Sequence, residues 1–267
     1  MRVGWIQTEP VYGDTRANLR QVESVVQSRE ADLWVLPELF ATGYLFGGRA
    51  ELSRLAEAIP AGPTTQEMIR LSRSAGCAFV AGIAEGAPSG MIFNAAIAVD
   101  PAGLRALYRK IHLFDLEKEW FDPGDTAYPV VSIAGARVGM MICFDWRFPE
   151  AARSLALAGA QIIAHPANLV HAHCQNAMVT RAIENGVFTV TANRTGAESR
   201  GDASLVFTGR SRIVAPDGRI LSDGPAQEPA CDVVELDPTA ADDKRVTPRN
   251  DLLGDRRPAF YRSGPGA

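Results

Sequence analysis

The stretch Val138–Gly159, VGMMICFDWRFPEAARSLALAG, reads as strand, turn and helix. Val138 to Ile142 is a short, nearly continuous apolar run, which suits a strand covered on both faces. Pro149 supplies a helix start, because its fixed φ suits the first turn and its missing N–H is not needed there. Leu155, Ala156 and Ala158 continue the helix, and Gly159 is a stop just past its end. Cys143 falls where the buried strand gives way to the turn. A side chain there projects from a rigid element toward the open end of a sheet, the edge at which layered α/β proteins bind ligands. A free cysteine is also a good small core hydrophobe, so this segment alone leaves both readings open.

The flanking sequence extends the alternation. Arg2 to Gln7 and Leu33 to Leu36 read as strands, with a helix between them capped by Asp14 and carrying Leu19, Val22, Val25 and Val26 on one face. Thr64 and Glu67 have capping-box spacing for a helix through Ala75, stopped by Gly76. Cys77 to Ile83, Met91 to Val99 and Leu104 to Tyr108 read as strands, the last two joined by a turn at Pro101–Gly103. Lys110 to Asp125 is a long connection rich in charge and aromatics. Gln161 to Ala164 and Val187 to Ala192 are strands around a helix at Cys174 to Asn185. Arg210 to Val214 and Arg219 to Leu221 flank a strong turn and predict a hairpin. Cys231 to Leu236 is the last strand, and from Asp237 onward the polar, Arg/Pro-rich sequence reads either as a tail that folds over a neighbour or as a frayed end. Helices alternate with strands while hairpins intervene, which predicts one α/β domain with mixed sheets.

Composition narrows the function. A chain of 267 residues can bury about three quarters of its unfolded surface. Its 27 basic and 31 acidic residues give a net charge of −4. With no basic block, nucleic acid is not an expected partner. No apolar run reaches the length of a membrane span. The start, Met1-Arg2 leading into VGWIQ, has no cleavable signal, so a cytoplasmic location is expected. The four cysteines, Cys77, Cys143, Cys174 and Cys231, are scattered without metal-ligand spacing, so neither disulfides nor a metal site is expected.

Three more places carry chemistry. Glu38 in LPELFATGY ends the apolar run Leu33–Leu36, and partial burial there would make it a proton acceptor. Lys110 ends another strand, where a fixed ammonium would stabilise a neighbouring thiolate and an oxyanion. Glu117, in the charged run Glu117-Lys118-Glu119, is either a surface charge or a group that holds Lys110 or the substrate. Asn168, with the backbone near Ala167 in HPANLV, reads equally as a ligand contact and as a plain turn. A carboxylate, an ammonium and a thiol at separate strand ends can meet at one sheet edge, and together they need no metal or organic cofactor. A Cys–His pair using His112 or His165 is the alternative.

Glu38 in LPELFATGY, Lys110 in YRKIHLFD and Cys143 in MICFDWRFPE resemble, in order and spacing, the Glu–Lys–Cys triad of the nitrilase superfamily, the carbon–nitrogen hydrolases. Pro123–Asp125, HPANLV at His165–Val170 and RIVAPDGR at Arg212–Arg219 also fit. The resemblance implies a four-layer α-β-β-α sandwich over residues 1–255, with 256–267 as a C-terminal tail, and pairing into homodimers or higher oligomers. It implies Cys143 as nucleophile, Glu38 as proton carrier, and Lys110 with the Phe144 N–H as oxyanion holders. Glu117 would orient Lys110 or substrate, and Tyr44, Trp146 and Asn168 are pocket residues by position. Phe144-Asp145 after the cysteine looks more like amidase and carbamoylase members than nitrilases, which typically carry Trp-Glu. The expected reaction is hydrolysis of a small carboxamide to acid and ammonia. Nitrile or N-carbamoyl hydrolysis, or a non-catalytic metabolite-binding member, are the alternatives.

Overall fold

The apolar runs assemble into two six-stranded sheets. The first has the order Ala230–Glu235, Arg2–Gln7, Leu33–Val35, Ala78–Gly86, Ile92–Asp100, Gly103–Arg109. The second has the order Ile220–Asp223, Arg212–Val214, Phe188–Ala192, Ile162–Pro166, Ala136–Met140, Val130–Ile133. Each has three parallel strands at its centre, with antiparallel strands on both flanks. This computed structural model describes residues 1–262 and Gly264. The expected tail at 256–267 therefore lies partly outside the described residues.

Period-two alternation along the strands builds the layers. Leu33, Val35, Ala78 and Val80 point inward and share a core with Val138, Met140, Ile162 and Val190 of the other sheet. The alternate residues Trp34, Leu36 and Phe79 point outward onto Val22, Met68, Ile69 and Leu71 of the helices Thr15–Ser28 and Pro63–Ala75. Helices Pro149–Leu157 and Cys174–Asn185 cover the outer face of the second sheet. The result is the α-β-β-α sandwich.

The topology gathers the strand ends that matter. Ile92–Asp100 and Gly103–Arg109 each reverse direction against their neighbour, so two reversals return the chain to the direction of Ala78–Gly86. The end before Lys110 thus lies at the same edge as the ends of the parallel strands.

Several local readings are corrected. The strand before Cys143 is Ala136–Met140, and Cys143–Arg147 forms a short 3-10 helix instead of an open turn. Helix Pro63–Ala75 has no capping box, because the Glu57 carboxylate accepts the Thr64 and Thr65 N–H groups instead. Residues 49–55 are a helix and Val130–Ile133 is a strand, two elements without a sequence expectation. A further hairpin spans Ala197–Arg200 and Ala203–Val206. Residues 238–251 are not a frayed end. They make a 3-10 turn and a small hairpin, and the Lys244 ammonium donates to the Asn185 and Gly186 carbonyls at the end of helix Cys174–Asn185. A cation at a helix C-terminus satisfies otherwise unpaired carbonyls, a long-range contact that local sequence does not reveal.

Candidate active site

Glu38 and Cys143 both stand at turns the backbone does not adopt freely. Leu39, directly after Glu38, has φ +50°, and Cys143 itself has φ +39°. Non-glycine residues in this region store strain and persist only where the surroundings over-determine them. Two glycines make the surroundings tight. A Cβ on Gly82 would lie 2.4 Å from the Glu38 Cα, so only glycine lets the neighbouring strand approach that closely. A Cβ on Gly124, in the Pro123–Asp125 motif, would lie 2.1 Å from the Arg109 carbonyl oxygen. Gly124 also donates its N–H to the Lys110 carbonyl at 2.8 Å.

Glu38, Lys110 and Glu117 are wholly buried and in direct contact. The Lys110 Nζ donates to Glu38 Oε1 at 2.6 Å and to Glu117 Oε1 and Oε2 at 2.8 and 2.7 Å. Asn94 donates to the same Glu38 oxygen at 2.7 Å, and its carbonyl accepts the Lys110 N–H. Glu117 also accepts the Tyr44 hydroxyl at 2.7 Å and the Phe114 N–H at 3.0 Å. Lys118 and Glu119, its companions in the charged run, are exposed. The sequence alone could not separate these three, because the one-turn helix Glu117–Trp120 that turns Glu117 inward has no periodicity to read.

The electrostatics follow from two acids sharing one base in a dry interior. Burial alone would lower Lys110, but Glu117 and Glu38 outweigh it and hold the ammonium above its ordinary range. Burial pushes Glu117 up to about 7, against the pull of Lys110. Burial, and then the Glu38 charge, push the Cys143 thiol well above its ordinary value, with Lys110 opposing. The Lys110 ammonium is engaged by two carboxylates, and it opposes the upward push on the thiol without outweighing it.

Cys143 opens onto a cavity of about 270 Å³ lined also by Phe114, Phe144, Trp146, Asn168 and His171. The sulfur lies 3.8 Å from the Asn168 carbonyl oxygen. Asn168 is buried, and among the described residues neither atom of its carboxamide has a partner. The Glu38 Oε2 is likewise buried without a partner. Phe144 places its N–H in the first turn of the 3-10 helix, one of the donors that a helix start leaves without an intrahelical carbonyl. Tyr44 is not among the cavity-lining residues; its hydroxyl is spent on Glu117.

Neither histidine of the alternative pairing serves the sulfur. His165 is buried between the Cys143 carbonyl and the Thr191 hydroxyl. A carbonyl only accepts, so Nε2 carries the proton and Nδ1 accepts from Thr191. Burial lowers His165 to about 4 and keeps it neutral. The His112 Nδ1 is turned to Asp145 at 2.8 Å. The Asp145 contacts are what sequence reasoning missed. A buried aspartate beside a 3-10 turn leaves no local signal beyond its place in the motif.

The carbon-nitrogen hydrolase family model matches residues 2–245. A nitrilase from Pyrococcus abyssi is 43% identical over 98% of this chain and 99% of its own length. An (R)-stereoselective amidase from Pseudomonas sp. is 36% identical over 96% and 92%. Among solved structures, a double mutant of the amidase from Nesterenkonia sp. AN1 in complex with acrylamide superposes with a TM-score of 0.80 at 28% identity, covering 97% and 95%. This chain belongs to the carbon–nitrogen hydrolases of the nitrilase superfamily.

Proposed function

We propose that this hydrolase cleaves the carbon–nitrogen bond of a small carboxamide, giving acid and ammonia through a thioester on Cys143. The observation that carries the reading is the division of labour on Glu38. Its Oε1 is taken by Lys110 and Asn94, whereas its Oε2 is buried without a partner. Among the charged groups, Glu38 acts most strongly on Cys143. An unpartnered buried carboxylate oxygen whose charge reaches the thiol is suited to accept the thiol's proton when it reacts.

The sulfur attacks the carbonyl carbon as Glu38 takes its proton. The oxyanion forms between Lys110 and the Phe144 N–H. Glu117 holds Lys110 through both oxygens, so one N–H can turn to the oxyanion while the other contact remains. Glu38 then passes the proton to the leaving nitrogen, and ammonia departs. Water, deprotonated by Glu38, attacks the thioester; the acid leaves and the thiol is restored. The unpaired carboxamide of Asn168 offers one donor and one acceptor at the cavity wall, which suits a substrate amide. The Nesterenkonia enzyme's acrylamide complex supports a small primary amide.

Ammonia release from a panel of aliphatic and aromatic amides and nitriles tests this, with acid-quenched mass spectrometry to trap the acyl group on Cys143. Turnover of nitriles without amides would overturn the amide reading. The apolar side chains of Leu157, Ile183, Phe260 and Tyr261 are exposed in the single chain, which supports pairing into a dimer. Light scattering tests this.

A further inference from the structure

We infer that Asp145 is a positioning residue: its carboxylate joins the Cys143 turn to the segment around Lys110 and sets the spacing of nucleophile and ammonium. This inference rests on the amide-hydrolase reading. Asp145 is wholly buried and does not line the cavity. Its Oδ2 accepts the Ile142 N–H at 2.9 Å and the Tyr108 hydroxyl at 2.7 Å. Its Oδ1 lies 2.8 Å from the His112 Nδ1 and accepts the Tyr128 hydroxyl at 3.4 Å. A carboxylate only accepts, so that His112 nitrogen carries a proton.

The partners divide by origin. Ile142 immediately precedes Cys143, in the segment that follows a strand of the second sheet. Tyr108 and His112 lie on either side of Lys110, which follows a strand of the first sheet. The Tyr108 hydroxyl also accepts the Ile111 N–H at 3.2 Å, so two backbone positions reach one carboxylate. The His112 ring is stacked on Phe148 at 3.6 Å and 10°, which fixes the plane of its N–H. One buried anion therefore spans the two sheets beside the reacting atoms, at the turn where Cys143 has φ +39°. Strain of that kind is kept only by such over-determination, and misplacing a reacting group by about 1 Å can cost on the order of 100-fold in rate.

Asp145→Asn keeps the shape and removes the charge. The expected result is a kcat lowered about 100-fold with KM changed less than about threefold and a folded protein by circular dichroism. His112→Phe keeps the stack on Phe148 and removes one donor, as does Tyr108→Phe; each is expected to lower kcat about tenfold at unchanged KM. Because they act through one carboxylate, the double variant Asp145→Asn with His112→Phe should be no worse than Asp145→Asn alone. Full multiplication of the two losses, or kcat within threefold of wild type in folded Asp145→Asn, would overturn the inference. If Asp145→Asn does not fold, the two single-donor variants decide by the same kcat and KM criteria. If wild type hydrolyses no amide, the functional reading fails by itself. The positioning role is then read from iodoacetamide labelling of Cys143, expected to be several-fold slower in the variants and refuted by equal rates.

Discussion

The buried charge cluster and the mouth of the cavity are built on opposite principles. The cluster, a floor beneath the site that does not itself line the cavity, is Glu38, Lys110 and Glu117, sealed from solvent and held by short bonds from several elements. The mouth is Phe114, Trp146, Arg147, His171 and His173, mostly loop residues with partial or full exposure. In a dry interior, charges act strongly on one another and the geometry is narrow. At a wet rim, side chains are adaptable and individual contacts are weak. In the proposed reaction the charge cluster supplies the chemistry, and the mouth chooses the molecule that undergoes it.

Substitutions should separate the two. The largest effect is expected from Lys110→Met, which leaves two buried carboxylates without their cation. Unfolding free energy should fall by about 3–5 kcal/mol at pH 7. Denaturant titration reads this, and unchanged stability would mean that the floor is not the sealed charge cluster described here.

Acid should act next, on the buried His165 beneath the Cys143 turn. The ordinary His165 value of 6.5 falls to about 4 in the folded chain. The unfolded chain thus binds more protons between those values, so the stability from a neutral His165 is present above about 6.5 and is lost as pH falls toward 4. The full loss is on the order of 3 kcal/mol. His165→Asn should flatten the melting temperature between pH 6.5 and 4.5; an identical slope in the variant would remove His165 as its cause.

At the mouth, Trp146→Ala should change the ratio of kcat/KM between bulky and short amides by about tenfold while labelling of Cys143 stays within twofold. A variant that slows labelling and every amide equally would place Trp146 in the floor instead. The smallest effect should come from Tyr44→Phe. It removes one donor from Glu117, about 1 kcal/mol, and is expected to lower kcat severalfold through Lys110. A shift in amide preference instead would return Tyr44 to the pocket.

The same contrast explains what could be read early. Cys143, Glu38 and Lys110 stand at the ends of apolar runs, and run length and period are properties of neighbouring residues. The alternation of Leu33, Trp34, Val35 and Leu36 between two cores likewise needs only the pleat of a strand. The Glu57 cap on Thr64 and Thr65 and the docking of Lys244 on a distant helix end had no such local trace.

By itself the sequence determined the α/β alternation, the candidate nucleophile and the strand ends that present an acid and a base. Only the tertiary structure decided that Glu117 and not Glu119 joins Lys110, that burial pushes the Cys143 thiol up, and that Asp145 meets groups from segments next to strands of both sheets. The physical reason is range. Periodicity and capping act within a few residues, whereas burial, shared protons and pKa shifts depend on groups far apart in the chain that meet only when the sheets close on each other.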